Sequence, residues 1–148
     1  MPFRFRLQSV LEHRAHLEEK ALHEFARGLK VQKECEQHIA WLEAEALRAR
    51  QELEEVQVKG MPASEFQILN EYATVLRLQA LRERARLPML VAQTEAARAR
   101  LMEARRDRMV LETLRERHLA RWQRRELKRE QAQIDEAAIG RYLRRESS

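Results

Sequence analysis

Residues 59–64 read KGMPAS, and they decide how the chain folds. They hold one of three glycines and one of three prolines in 148 residues, between long tracts of charged and aliphatic helix formers. Gly60 can take the left-handed backbone conformation that ends a helix, and Pro62 cannot continue one. Ser64, with Gln67 three residues on, reads as a capping box that opens the next helix. The stretch predicts a turn over 59–64 between a helix over about 4–58 and a longer one over about 65–145.

Working outward from the turn, apolar residues recur at alternating steps of three and four. From Leu11 the positions are Leu11, Arg14, Glu18, Ala21, Phe25, Gly28, Gln32, Cys35, Ile39, Leu42, Ala46, Ala49, Leu53 and Val56, and ten of these fourteen are apolar. From Phe66 they are Phe66, Leu69, Ala73, Leu76, Ala80, Glu83, Leu87, Leu90, Thr94, Ala97, Leu101, Ala104, Arg108, Leu111, Arg115, His118 and Trp122, with twelve of seventeen apolar. Each helix therefore carries a coiled-coil seam that must be covered, and a short turn between them folds one onto the other. The expected fold is all-α: a single long antiparallel two-helix coiled-coil hairpin over residues 1–148, a rod instead of a globule. Folding at the turn sets Val56 opposite Phe66, Leu53 opposite Leu69, Ala46 opposite Leu76, Leu42 opposite Ala80, Phe25 opposite Ala97 and Ala21 opposite Leu101. Large residues repeatedly meet small ones, so the layers interdigitate. Towards the chain ends Glu18 meets Ala104 and Arg14 falls near Arg108, which predicts a seam that frays or needs a partner.

Two further departures stand out. Pro88 removes a backbone bond to the carbonyl of Arg84 and predicts a kink or interruption in the second helix. With residue 4 paired near residue 118, residues 119–148 overhang by roughly 45 Å if helical. Ile134, Ala138 and Tyr142 recur there at helical spacing and mark an amphipathic docking element.

Composition bounds the function. Charged residues make up 36% of the chain and aromatics 5%, so little material exists for a globular core. The single Cys35 excludes an internal disulfide and fits a reducing compartment. No apolar run reaches a membrane span and MPFRFRLQSVL is too short and too charged for a secretory signal, so a soluble cytosolic protein is expected. Residues 1–64 carry 10 basic and 11 acidic side chains, whereas residues 98–129 carry 12 basic and 5 acidic, a net of +7 in that block. Such a block is either a solvated helix face or a surface seeking an acidic partner. Trp41, Leu47, Ile68, Tyr72, Val75, Leu78 and Leu81 fall outside the seam yet are large and apolar. They mark a patch for another protein, or else a third helical layer.

Catalytic chemistry finds little purchase. There is no glycine-rich phosphate loop, no GxSxG and no Cys/His spacing of the zinc kind. His13, His16 and His23 share a helix face without further ligands and read as solvated. Cys35 lies on the seam and reads as a small core residue. No catalytic residue, metal or cofactor is expected.

The start FRFRLQSVLEHR, the post-turn helix MPASEFQILNEYATVLRLQ, the arginine-rich ARRDRMVLETLRERHLARWQRR and the ending EQAQIDEAAIGRY together resemble the flagellar FliJ family over nearly the whole chain. The resemblance implies a non-enzymatic antiparallel coiled-coil stalk of bacterial flagellar protein export, similar to the γ stalk of rotary ATP synthases. It would be cytoplasmic and peripheral at the inner membrane. It further implies binding in the centre of a hexameric export ATPase, promoting its assembly and activity, and contacts with the large membrane subunit of the export gate and with export chaperones. The ATPase-facing residues would be Arg4, Arg6, Arg117, Arg121, Arg124, Arg125 and Lys128. The gate-facing surface would comprise Trp41, Ile68, Tyr72, Val75 and Leu76. Related readings are an injectisome type III secretion stalk and a chaperone scaffold. From another class comes a basic helical hairpin that binds nucleic acid; against it, the basic block follows the seam instead of preceding a parallel zipper.

Overall fold

The computed structural model describes residues 1–147. Helix α1 runs over Gln8–Lys59 and helix α2 over Ala63–Glu146, and no strand occurs among the described residues. The chain is an all-α antiparallel helical hairpin. Its contacts group into two units, one of Met1–Glu18 with Glu103–Ser148 and one of Glu19–Met102.

The second unit contains the turn. Gly60 has φ +80°, and its N–H donates to the Val56 carbonyl at 2.9 Å, closing α1 with a left-handed cap. The Pro62 carbonyl then accepts from the N–H groups of Glu65 (3.1 Å) and Phe66 (3.2 Å). Pro62 itself is thus the cap of α2, which places Ser64 within the first helical turn and not at the capping position expected of it. The expected cap lies two residues too late because a proline carbonyl accepts as well as any other, and only the missing N–H distinguishes it.

Every seam position named from the spacing, Ala21 to Val56 on α1 and Phe66 to Leu101 on α2, is buried or half-buried. Leu42, the one large side chain with no exposed surface among the described residues, packs in a cluster with Ala46, Leu76 and Ala80. Those four are the two layers that folding at the turn sets opposite each other, and burying Leu42 contributes about 2 kcal/mol. Ala49, Leu53 and Ala73 form a second cluster with Phe66 and Leu69 against it. Cys35, Ile39 and Leu90 form a third, flanked by Val31 and Leu87. The Cys35 thiol donates to Glu83 Oε2 at 3.4 Å, and burial, with Glu83 beside it, pushes the thiol above its ordinary range. Cys35 is accordingly a protonated core residue, as its seam position predicts.

Pro88 does not interrupt α2, which is continuous on both sides of it. Pro88 is exposed, so water can satisfy the carbonyl freed by its missing N–H, and seam residues Leu87 and Leu90 stay packed.

In the first unit α1 begins at Gln8, later than the expected residue 4. The chain before it is not helical, and its burial alternates: Phe5 is buried and Phe3 half-buried, while Arg4 and Arg6 are exposed. That alternation turns Phe3 and Phe5 inward and Arg4 and Arg6 to solvent, ahead of a turn in which the Gln8 N–H donates to the Phe5 carbonyl at 3.1 Å. Phe3 consequently reaches Trp122, with ring centroids 6.0 Å apart, and Phe5 meets the edge of His118 at 5.6 Å. Arg115 lies over the Phe3 ring at 5.8 Å. Cover therefore extends further along α2 than residue 118, and continuous exposure begins only at Leu127, relieved by Gly140 alone among the described residues.

Candidate partner-binding surfaces

Two sets of cationic side chains in the first unit differ in what they meet. Arg108 donates to Glu18 through Nε and pairs with Glu112 at 2.6 Å. Arg105 Nε also donates to Glu18, at 3.2 Å, and Arg14 pairs with Asp107 at 3.3 Å. Arg115 Nε donates to Gln8 Oε1 at 3.2 Å. The polar seam positions that predict fraying are in fact matched by charge: with Glu18 only 15% exposed and Arg108 23%, ion pairs close the seam where apolar residues run out. Hydrogen bonding from Arg108 holds the Glu18 carboxyl below its ordinary value, with Arg105 adding to it and partial burial opposing it.

The other set is Arg4, Arg6, Arg117, Arg121, Arg124, Arg125 and Lys128. All seven are exposed, and none forms an ion pair among the described residues. Arg117, Arg121, Arg124 and Lys128 follow one another at three- and four-residue steps, with Arg125 four after Arg121, so they share one face of α2. Arg4 and Arg6 lie beside the same stretch of α2, because Phe3 and Phe5 pin the N-terminal segment onto Trp122 and His118. The clasp escapes a helical reading of the N-terminus, although the alternation FRFR carries its signal.

Segregation of charge is complete between the units. Residues 1–18 and 103–148 carry 16 basic and 11 acidic side chains, a net of +5, whereas residues 19–102 carry 13 of each. The entire net charge of the chain resides in the first unit.

The seven large apolar residues singled out beside the seam near the turn lie in the second unit, and they do not form one patch. Trp41, Ile68, Tyr72 and Val75 each immediately precede a seam position, whereas Leu47 and Leu81 each immediately follow one. At 100° per residue these sets occupy opposite flanks of the helix pair. Contacts agree with the division: the Tyr72 hydroxyl donates to Glu45 Oε1 at 3.4 Å, and His38 stacks on Trp41 at 6.3 Å, on the first flank. Leu47 and Leu81 line a groove on the other. Leu78 follows neither rule and faces outward. Leu76 is different again: it is 4% exposed and packed in the core, so it is not part of an open surface. Its seam position makes it a support beneath Tyr72 and Val75.

An antiparallel helical hairpin, with cationic side chains on one unit and apolar flanks on the other, belongs to the coiled-coil class. Residues 3–147 match the family model described as Flagellar FliJ protein, and the chain belongs to that family. Membership makes it a component of flagellar protein export, a form of type III secretion. Neither a curated protein nor a solved structure gives a significant match to the chain. No helix among the described residues is long and apolar enough to cross a membrane.

Proposed function

We propose that this protein is a non-catalytic stalk which enters the centre of the hexameric export ATPase through its cationic unit, promoting ring assembly and ATP hydrolysis. The observation that carries the reading is the set of seven exposed cations that form no ion pair among the described residues, in the unit that holds all of the net charge. A positive surface is steered into an acidic ring, with affinity that falls as salt rises. A two-helix element cannot match six-fold symmetry, so it favours some subunit states over others. The exposed stretch of α2 from Leu127 onward supplies further docking surface.

The flank carrying Trp41, Ile68, Tyr72 and Val75 is the contact for the large membrane subunit of the export gate, and export chaperones are further partners. This role puts the protein in the cytoplasm, peripheral at the inner membrane.

The test replaces Arg121, Arg124 and Arg125 with Glu and measures ATP hydrolysis by the export ATPase with and without the stalk. Stimulation should vanish while helicity is retained. Undiminished stimulation by the folded variant would remove the cationic face from the mechanism.

A further inference from the structure

The groove on the flank opposite Tyr72 has a floor of Ala46 and Ala80, walls of Leu47 and Leu81, and a rim of Arg50, Arg77 and the Glu43–Arg84 pair. Its volume is about 470 Å³. The cause lies in the layer order: Ala46 faces Leu76 and Ala80 faces Leu42, so each helix presents a small residue here and the surface between them sinks. Leu47 and Leu81 are both more than half exposed, one from each helix, and they stand on either side of this depression.

The rim decides what the groove accepts. Arg50 and Arg77 are exposed and form no ion pair among the described residues, while Arg84 is matched by Glu43. The rim is thus positive by two charges, within a unit whose basic and acidic side chains balance. An apolar trough between two helices, bordered by uncompensated guanidinium groups, is complementary to a third helix. That helix needs apolar side chains at three- and four-residue steps and carboxylates on the edges facing Arg50 and Arg77.

We infer that this groove is a docking site for an acidic amphipathic helix of a partner protein, separate from the Tyr72 flank. A docked helix inserts an apolar side chain over Ala46 and Ala80, between Leu47 and Leu81, and its carboxylates accept hydrogen bonds from Arg50 and Arg77. Both flanks of the hairpin are then usable at once, since residues before and after a seam position point to opposite sides.

The experiment titrates the full chain with a synthetic helix bearing leucines on one face and glutamates on both edges, and with a control carrying lysines in place of the glutamates. Binding is read by fluorescence anisotropy. A nitroxide on the peptide locates it through broadening of methyl signals. The acidic helix should bind and broaden Leu47 and Leu81 but not Val75. Leu47→Asp with Leu81→Asp should weaken it about tenfold or more. Both leucines are exposed, so helicity by circular dichroism should hold. Arg50→Glu with Arg77→Glu should exchange the preference, so that the lysine helix binds and the glutamate helix does not. Equal binding of both peptides to the unaltered chain would overturn the proposal, as would binding indifferent to the aspartates. Sedimentation showing a dimer that the aspartates dissociate would overturn it in favour of a second copy in the groove.

Discussion

Gly28 of α1 lies so close to Thr94 of α2 that a Cβ on the glycine would sit 3.1 Å from Thr94 Oγ1. Thr94 is buried and its hydroxyl donates to the Leu90 carbonyl at 2.9 Å, which holds the oxygen in place. Both residues are seam positions, and this is where the seam trades side-chain volume for close approach of the helices. Gly28→Ala gains about 1 kcal/mol of helix propensity and loses a similar amount by crowding the hydroxyl. Alone it should leave stability unchanged or slightly reduced. In a Thr94→Ala background it should stabilise by about 1 kcal/mol. A double-mutant cycle by urea unfolding measures the coupling, and strictly additive effects would mean that Thr94 does not crowd the site.

Glu18 ties the first unit to pH. Its carboxyl is held below the ordinary value of 4.5 by Arg108 and Arg105. A depressed folded-state value means that the stabilisation is complete above the unfolded value and disappears as pH falls through the folded one. Glu18→Gln should therefore cost about 1 kcal/mol at neutral pH, as expected of a partly exposed pair. The gap between the two proteins should close as the pH drops below 4.5. Thermal unfolding from pH 7 to pH 3 tests this, and a gap that widens on acidification would contradict the sign. Added salt should narrow the gap at neutral pH.

Pro88 is a defect that α2 tolerates. It is exposed, and its ring disturbs the bond that the Arg84 carbonyl would otherwise accept. Pro88→Ala should raise stability by about 1–3 kcal/mol, since alanine restores that bond at a site with no packing to lose. Differential scanning calorimetry should show the higher melting temperature. A lower one would mean that the proline ring makes a contact the folded chain depends on.

Tyr72 and Leu76 separate surface from support. Leu76→Ala should destabilise by about 2–5 kcal/mol, because it empties a core layer shared with Leu42, Ala46 and Ala80. Tyr72→Ala removes an exposed ring and one hydrogen bond to Glu45, and should change stability by no more than about 1 kcal/mol. Chemical denaturation of the two variants distinguishes them, and equal losses would move Tyr72 into the core. For the proposed gate contact, weakened binding by Tyr72→Ala would read on the surface itself, whereas the same loss by Leu76→Ala would read first on the fold.

By itself the sequence determined the turn and the seam. Gly60 and Pro62 end and restart helices for reasons contained in their own backbones. Steps of three and four mark one face of a helix wherever it packs, which is why each seam position from Leu11 to Trp122 is at least half-buried. Tertiary structure decided which charges meet and where the remaining side chains face. Glu18 and Arg108 lie ninety residues apart in the chain, and only the packing of α2 on α1 turns two unfavourable seam residues into a pair. That same packing divided Tyr72 from Leu81, since a flank exists only once a second helix defines a plane. Phe3 and Phe5 settle on Trp122 and His118 ahead of the first turn of α1, a placement chosen by the aromatic surface waiting on α2 and not by local propensity.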